Sequence, residues 1–191
     1  MAKIKYGLSN VHYAVATIAA DNTVTYAEPV AIPGAVNLSM EPQGERSVFK
    51  ADNIDYFVSA SNNGYEGDLE IALVPEEFET DVLGAVEDAK NVLFEDANAP
   101  VVHFALLFQF EGDVKATRHV FYNCTATRAT VEGETKGETI EPKTDTLSLT
   151  AAPIHFASIN KDICKGRTKD DTDATTYAGW FEDVVTPTAQ S

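Results

Sequence analysis

A mainly β fold, a β-sandwich or β-barrel with one flanking α-helix, is predicted by three features of the sequence. Apolar and polar residues alternate over most of the chain, turn-forming Gly, Pro, Asn and Asp interrupt the alternation at short intervals, and helical spacing occurs in one stretch only. Alternation means strand because successive side chains of a strand point to opposite faces of the sheet.

The elements follow in order. Val11, Tyr13 and Val15 alternate with smaller or polar residues within 10–19, and Asp21-Asn22 turns the chain into 23–26, a candidate hairpin. Val36, Leu38 and Met40 alternate with Asn37, Ser39 and Glu41, and Ile54, Tyr56 and Val58 with Asp55, Phe57 and Ser59; both segments are predicted to be half-buried strands. Between them Pro42 and Gly44, in a polar setting, predict an excursion from the sheet over 41–45. Residues 62–67 form a turn by composition and lead into a strand over 68–74 with acids on its open face. After Pro75, Phe78, Val82, Leu83 and Val86 recur at helical spacing, with Glu76, Glu77 and Glu79 early and Lys90 late, which predicts a helix over 76–91. Residues 100–110 are apolar on nearly both faces, with Val102, Phe104, Leu106, Phe108 and Phe110 on one side, as in a central strand covered above and below. A turn at 111–113 leads into a strand over 114–122, and further strands are expected over 124–131 and 144–150. Near the end, Tyr177, Trp180 and Phe181 form an aromatic cluster suited to anchoring the C-terminal segment on the body or on a neighbouring subunit.

Composition narrows the function. The 191 residues suffice for one well-filled core, and 44% hydrophobic with 23% charged residues is the balance of a folded chain. Thirty acids against fourteen bases give a formal charge of −16, a surface that repels phosphate backbones and argues against tight nucleic-acid binding. That charge either serves a conduit from which DNA must slide freely or keeps an abundant protein in solution. The longest apolar run, 101–108, contains His103 and is too short for a membrane span; with no signal peptide after Met1, the chain is expected to stay in the cytoplasm. The sequons at Asn37 and Asn123 are then chance matches.

Cys124 and Cys164 stand apart and are expected to be reduced; with His12, His103, His119 and His155 they show no ligand-like spacing, so no metal and no cofactor is expected. Nucleophile elbow, phosphate loop, dinucleotide fingerprint and metalloprotease helix are all missing, and the sequence predicts no enzyme. Lys161, Lys165, Arg167 and Lys169 run into Asp170, Asp171 and Asp173, either a solvated loop or a pair of opposite patches able to join identical neighbours head to tail.

Several segments, in order along most of the chain, resemble the major tail protein family of long, non-contractile phage tails. They are residues 6–13 (YGLSNVHY), 32–36 (IPGAV), 41–44 (EPQG) followed by 51–53 (ADN), 63–70 (NGYEGDLE), 104–108 (FALLF) and 118–124 (RHVFYNC). The resemblance implies one tail-tube domain over 1–191, with an N-terminal arm at about 1–9 and a C-terminal extension at about 160–191. It implies hexameric rings stacked into a tube, inner strands joined around a channel through which genomic DNA passes without specific binding, and ejection of that DNA into the host. The implied partners are further copies of the chain, a tape measure protein, a tail terminator and tail-tip proteins, with no membrane, in the virion after assembly in the host cytoplasm. Ring-to-ring contact is implied for the arm, over 2–9 with Tyr6 and Leu8, and for a long loop over 40–53 with Glu41, Gln43, Arg46 and Phe49; Lys165, Arg167, Asp170 and Asp171 join these as candidate inter-subunit contacts. The alternative is a carbohydrate-binding β-sandwich of a virion or cell surface, which would need Tyr56, Tyr65 and Trp180 grouped on one exposed face.

Overall fold

The computed structural model describes residues 4–21, 23–51, 53–112, 114–133, 135 and 143–189. In chain order the elements are β1 (Lys5–Ile18), β2 (Val24–Tyr26), β3 (Val30–Ala31), β4 (Ala35–Gln43), β5 (Arg46–Ala51), β6 (Ile54–Ala60), β7 (Gly64–Ile71), α1 (Glu76–Asp81), β8 (Ala85–Glu87) and β9 (Leu93–Glu95). They continue with β10 (Phe104–Gly112), β11 (Thr117–Ala126), β12 (Asp145–Ala151), β13 (Ile154–Phe156), β14 (Lys161–Ile163), β15 (Lys165–Arg167), α2 (Ala174–Ala178) and a 3-10 turn over Gly179–Phe181.

One antiparallel sheet of nine strands carries the fold, in the order β2-β1-β10-β11-β12-β7-β4, with β3 added to β1 and β15 to β11. Two register shifts bend β1, between Tyr6 and Leu8 and between Ser9 and His12, where Gly7 and Asn10 take left-handed conformations (φ 60° and 51°). The sheet curls until residues 8–12 of β1 and 31–35 leading into β4 line one shared cleft. No hydrogen-bonded pairing of β1 with β4 closes the curl among the described residues, so the outer edge of β4 stays unpaired. The architecture is the predicted mainly β one, and it fits a β-sandwich.

Alternation on β10 and β11 creates two cores. Phe104, Leu106 and Phe108 point into the curl with Val11, Tyr13, Leu69, Ile71, Phe121, Leu147 and Leu149. Ala105 and Leu107 point the other way and join Ala14, Val120, Tyr122, Ile154, Phe156 and Trp180. Each fully buried Leu or Phe contributes about 1.5–3 kcal/mol, so a strand covered on both faces is the most heavily anchored in the molecule. The aromatic cluster anchors the C-terminal segment on this outer core. Trp180 is buried and donates Nε1–H to the His119 carbonyl, while Arg118 donates to the Tyr177 carbonyl and stacks its guanidinium over the Tyr177 ring at 3.9 Å. The Tyr122 hydroxyl, pushed up to about 12 by burial, donates to the Val185 carbonyl.

Several local expectations are corrected. The helix stops at Asp81, because Gly84 turns left-handed (φ 72°) and a side chain there would strike Ala99; Phe78 and Val82 still reach the core, but Val86 is exposed on β8. Helix α2 is a second helix that spacing did not reveal. The predicted excursion at 41–45 begins later, since β4 continues through Pro42 to Gln43; an edge strand tolerates a proline because one side of it needs no donor. The loop expected over 40–53 is the end of β4 and a two-stranded hairpin, β5 with β6. The hairpin is a separate two-stranded sheet with no further strand paired to it among the described residues, and Ile54 (61% exposed) and Tyr56 (69%) are not half-buried. The expected arm is strand from Lys5 onward, paired with β10, and residues 1–3 lie outside the described residues. Strand β7 starts at Gly64, inside the predicted turn. One strand, Thr117–Ala126, stands in place of the two expected over 114–122 and 124–131, and beyond it Arg128 leaves the sheet to pair with Glu95 (3.1 Å).

Candidate assembly surfaces

The outer face of β4, β7 and β12 is polar throughout. Register aligns Asn37, Glu70 and Thr146 in one row, Ser39, Asp68 and Ser148 in the next, and Glu41, Glu66 and Thr150 in a third. The other side of the same strands presents Leu38, Met40, Leu69, Ile71, Leu147 and Leu149 to the core, so period two separates the wall from its filling. Ser148 donates to Asp68 (2.7 Å) and Thr144 to Glu70 (2.6 Å), which fixes two carboxylates upright on the surface. Four acids, Glu41, Glu66, Asp68 and Glu70, stand on this face with hydroxyls and an amide; no base and no large apolar side chain is among these nine residues. Such a surface is suited to facing water and to repelling anions.

The two ends of the curl differ. At one end α1 covers the core: Phe78 packs edge-on against Tyr13 (5.0 Å) and Phe104 (5.6 Å), and the Tyr13 hydroxyl, raised by burial and the neighbouring carboxylate, donates to Asp81 (2.9 Å). Beside α1 lies the β8–β9 hairpin, with Val86, Val92 and Phe94 exposed. At the other end the core opens as a cleft among Tyr65, Phe108, Phe110 and Phe121, with Lys165 over Tyr65 (4.4 Å) and Lys5 over Phe110 (4.7 Å). The β5–β6 hairpin leaves from this end, where Gln43 pairs with Gly64, and it exposes Phe49, Tyr56 and Phe57.

His119 lies in that cleft, flat on Phe108 (5.2 Å, 4° between planes). Burial, reinforced by Lys165, Lys5 and Arg167, holds its imidazole down at about 4. In the unfolded chain a histidine titrates near 6.5, so between these values the unfolded state binds the extra proton. The residue's contribution is therefore complete above pH about 6.5 and is lost as pH falls to about 4. Between pH 7 and 4.5 the unaltered protein should lose about 2 kcal/mol more than His119→Phe, after allowance for the part of the ring that meets water. Urea titrations at the two pH values check this, and equal losses would refute it.

Most candidate contact residues gather at the open end. Tyr6 is exposed on β1; Leu8, next to it, is half-buried against the core. Glu41 and Gln43 end β4, and Phe49 (62% exposed) stands on the hairpin to which Arg46 also belongs. Lys165 reaches the cleft, and Arg167 pairs in register with His119 on β11. Asp171 is already engaged within the chain, held below the usual carboxylate range by Lys169 at 3.1 Å, and Asp170 stands in the same turn. The aromatics required by a glycan site do not meet: Tyr56 is on the hairpin, Tyr65 packs against Phe121, and Trp180 is buried in the outer core. Cys124 and Cys164 are free and buried, and among the described residues no group of His, Cys, Asp and Glu could hold a metal ion. The apolar patch of Val86, Val92 and Phe94 was not legible in the sequence, because β8 falls within the helix predicted over 76–91 and β9, at Leu93–Glu95, had no predicted element.

Comparison with known proteins gives one result. A family model described as phage tail tube protein matches residues 1–190. No curated protein matches the chain.

Proposed function

Because the chain belongs to the phage tail tube protein family, a structural component of the virion tail, we propose that its copies close into hexameric rings that stack into a tube of the long, non-contractile type. In this reading the whole chain acts as one tube domain, waits in the host cytoplasm before assembly, and then meets the tape measure, terminator and tail-tip proteins. The observation that carries the reading to a specific geometry is the acidic face of β4, β7 and β12, which becomes the channel wall. Glu66, Asp68 and Glu70 stand about 7 Å apart along one strand, so the wall presents like charge to a passing duplex and gives its phosphates nothing to bind. The unpaired edge of β4 supports ring closure, since an open sheet gains by pairing its edges and a ring leaves none. The candidate contacts Tyr6, Leu8, Glu41, Gln43, Arg46, Phe49, Lys165, Arg167, Asp170 and Asp171 serve contacts between copies.

Negative-stain electron microscopy and light scattering of the purified chain at rising concentration test the assembly; hollow tubes with six-fold end views are expected. Monomers that persist after seeding with tail-tip complexes would refute it. Ser148→Cys tests the wall, because both native cysteines are buried. Biotinylated through that cysteine, the free subunit should bind streptavidin, and the assembled tube should exclude a protein of that size from its channel. Tubes decorated along their outside would place the face elsewhere.

A further inference from the structure

We propose that the cleft at the open end of the curled sheet binds a small arylalkyl carboxylate, one aromatic ring on a short chain that ends in a carboxylate. The site belongs to the single subunit and does not depend on how copies assemble.

The curl leaves its core uncovered at this end. Buried Phe108 and Phe121 form the floor of a cavity of about 160 Å³, and half-buried Leu38, Met40, Tyr65 and Phe110 form its sides. An engineered apolar cavity of roughly 150 Å³ holds one benzene ring, whereas pockets for drug-sized ligands span roughly 300–1,000 Å³. Size therefore selects a single ring and excludes a long-chain lipid. The walls favour a ring as well, since Tyr65 already meets Phe121 edge-on at 5.1 Å and Phe108 meets Phe110 in the same way at 5.5 Å.

Charge at the mouth sets the sign of the ligand. Lys5 stands 4.7 Å over the Phe110 ring and Lys165 4.4 Å over the Tyr65 ring. Among the described residues neither ammonium forms an ion pair, in a chain with thirty acids. On flexible stems, both can leave a ring face to receive a carboxylate. The acids of this region face other surfaces. Glu41 and Glu66 stand on the outer face of the sheet, Glu111 lies beside Gly7, Asp55 pairs with Lys50 on the hairpin (3.7 Å), and Glu45 sits at the hairpin root against Ser61. No acid lines the cavity, and the charges that reach His119 at its wall are positive, those of Lys165, Lys5 and Arg167. Burial of the ring gives the ligand its affinity, and the ammoniums favour a carboxylate over a neutral or cationic head.

The probe is 3-phenylpropionate, with 3-phenylpropan-1-ol and 3-phenylpropylamine as its neutral and cationic counterparts. The chain has two methionines, Met1 and Met40, so methyl-labelled protein gives one signal from the cavity wall, which Met40→Leu identifies. Titrated below the concentration at which copies assemble, the acid should shift the Met40 methyl saturably with a Kd below about 5 mM, within reach of a ligand of about eleven heavy atoms. The alcohol should bind at least about fivefold more weakly, and the amine more weakly still. Lys5→Met with Lys165→Met, its fold checked by circular dichroism, should bring the acid down to the affinity of the alcohol. Lys165→Arg, which keeps the charge, should retain the preference. A Met40 signal that stays still, or that fails to saturate below about 5 mM, would mean an adventitious additive only and would overturn the site. Equal binding of acid and alcohol by the unaltered chain, or a preference that survives loss of both lysines, would overturn it too.

Discussion

Phe78→Ala is expected to lower the unfolding free energy by about 3–5 kcal/mol, the range for emptying a large aromatic from a core that cannot collapse around the gap. Phe78 is 1% exposed and holds the covered end of the curl, with edge-on contacts to Tyr13 and Phe104. Only six residues of helix carry it, too few to be stable alone, so α1 exists because this side chain is buried. Removing the ring should therefore loosen α1 as well as the core, and disturb the hydrogen bond from Tyr13 to Asp81. A domain of this size has about 5–15 kcal/mol in total, so the variant should sit near its folding limit at 37 °C. Urea denaturation measures the loss, and Phe78→Leu, which leaves most of the volume filled, should recover more than half of it. A cost below about 1.5 kcal/mol for the alanine would mean that α1 is dispensable to the core.

Gly67→Val is expected to separate β4 from β7. The chains approach so closely at this point that a β-carbon on residue 67 would lie 1.8 Å from the Ser39 carbonyl oxygen and 2.8 Å from its carbon. Both are backbone atoms held in the ladder, so neither can turn aside as a flexible side chain would. Conformational freedom is not the reason for glycine here; space is. Hydrogen exchange should show the β4 amides losing protection while β10 and β11 keep theirs, and the variant should form no rings if the β4 edge is used in closure. Gly133→Val, with nothing within 4 Å of the added carbon, is the matched control and should leave both unchanged. Preserved β4 protection in Gly67→Val would refute the close-approach argument.

Legibility in the sequence followed how local the determining forces are. Residues 104–108 read as a doubly covered strand because every side chain is apolar, and that is how they sit. The acids at 66, 68 and 70 announce one face of a strand, but their alignment with Ser39 and Ser148 depends on register, which no single segment encodes. Helical spacing of Phe78, Val82 and Val86 was matched by the first two alone, since one left-handed glycine outweighed the pattern. The alternation of Ile54, Tyr56 and Val58 correctly gave a strand and wrongly gave burial; alternation reports a pleated backbone, and only tertiary structure decides whether a core lies beneath it. Trp180 was legible as an anchor, and its partners on β11 were not, being about sixty residues away.

The unpaired edge of β4 has a consequence for the timing of growth. A nine-residue edge would normally recruit any passing strand, including one from a misfolded neighbour. Pro42 offers no N–H within it, and Glu41 on the adjoining face repels an identical copy laid alongside in the same orientation. An encounter between two free subunits is thereby made unproductive unless several other surfaces already hold them in place. In the assembly proposed above, such an edge would favour extension of an existing end over spontaneous initiation, so a supplied seed should yield tubes at subunit concentrations well below those at which the chain alone forms them.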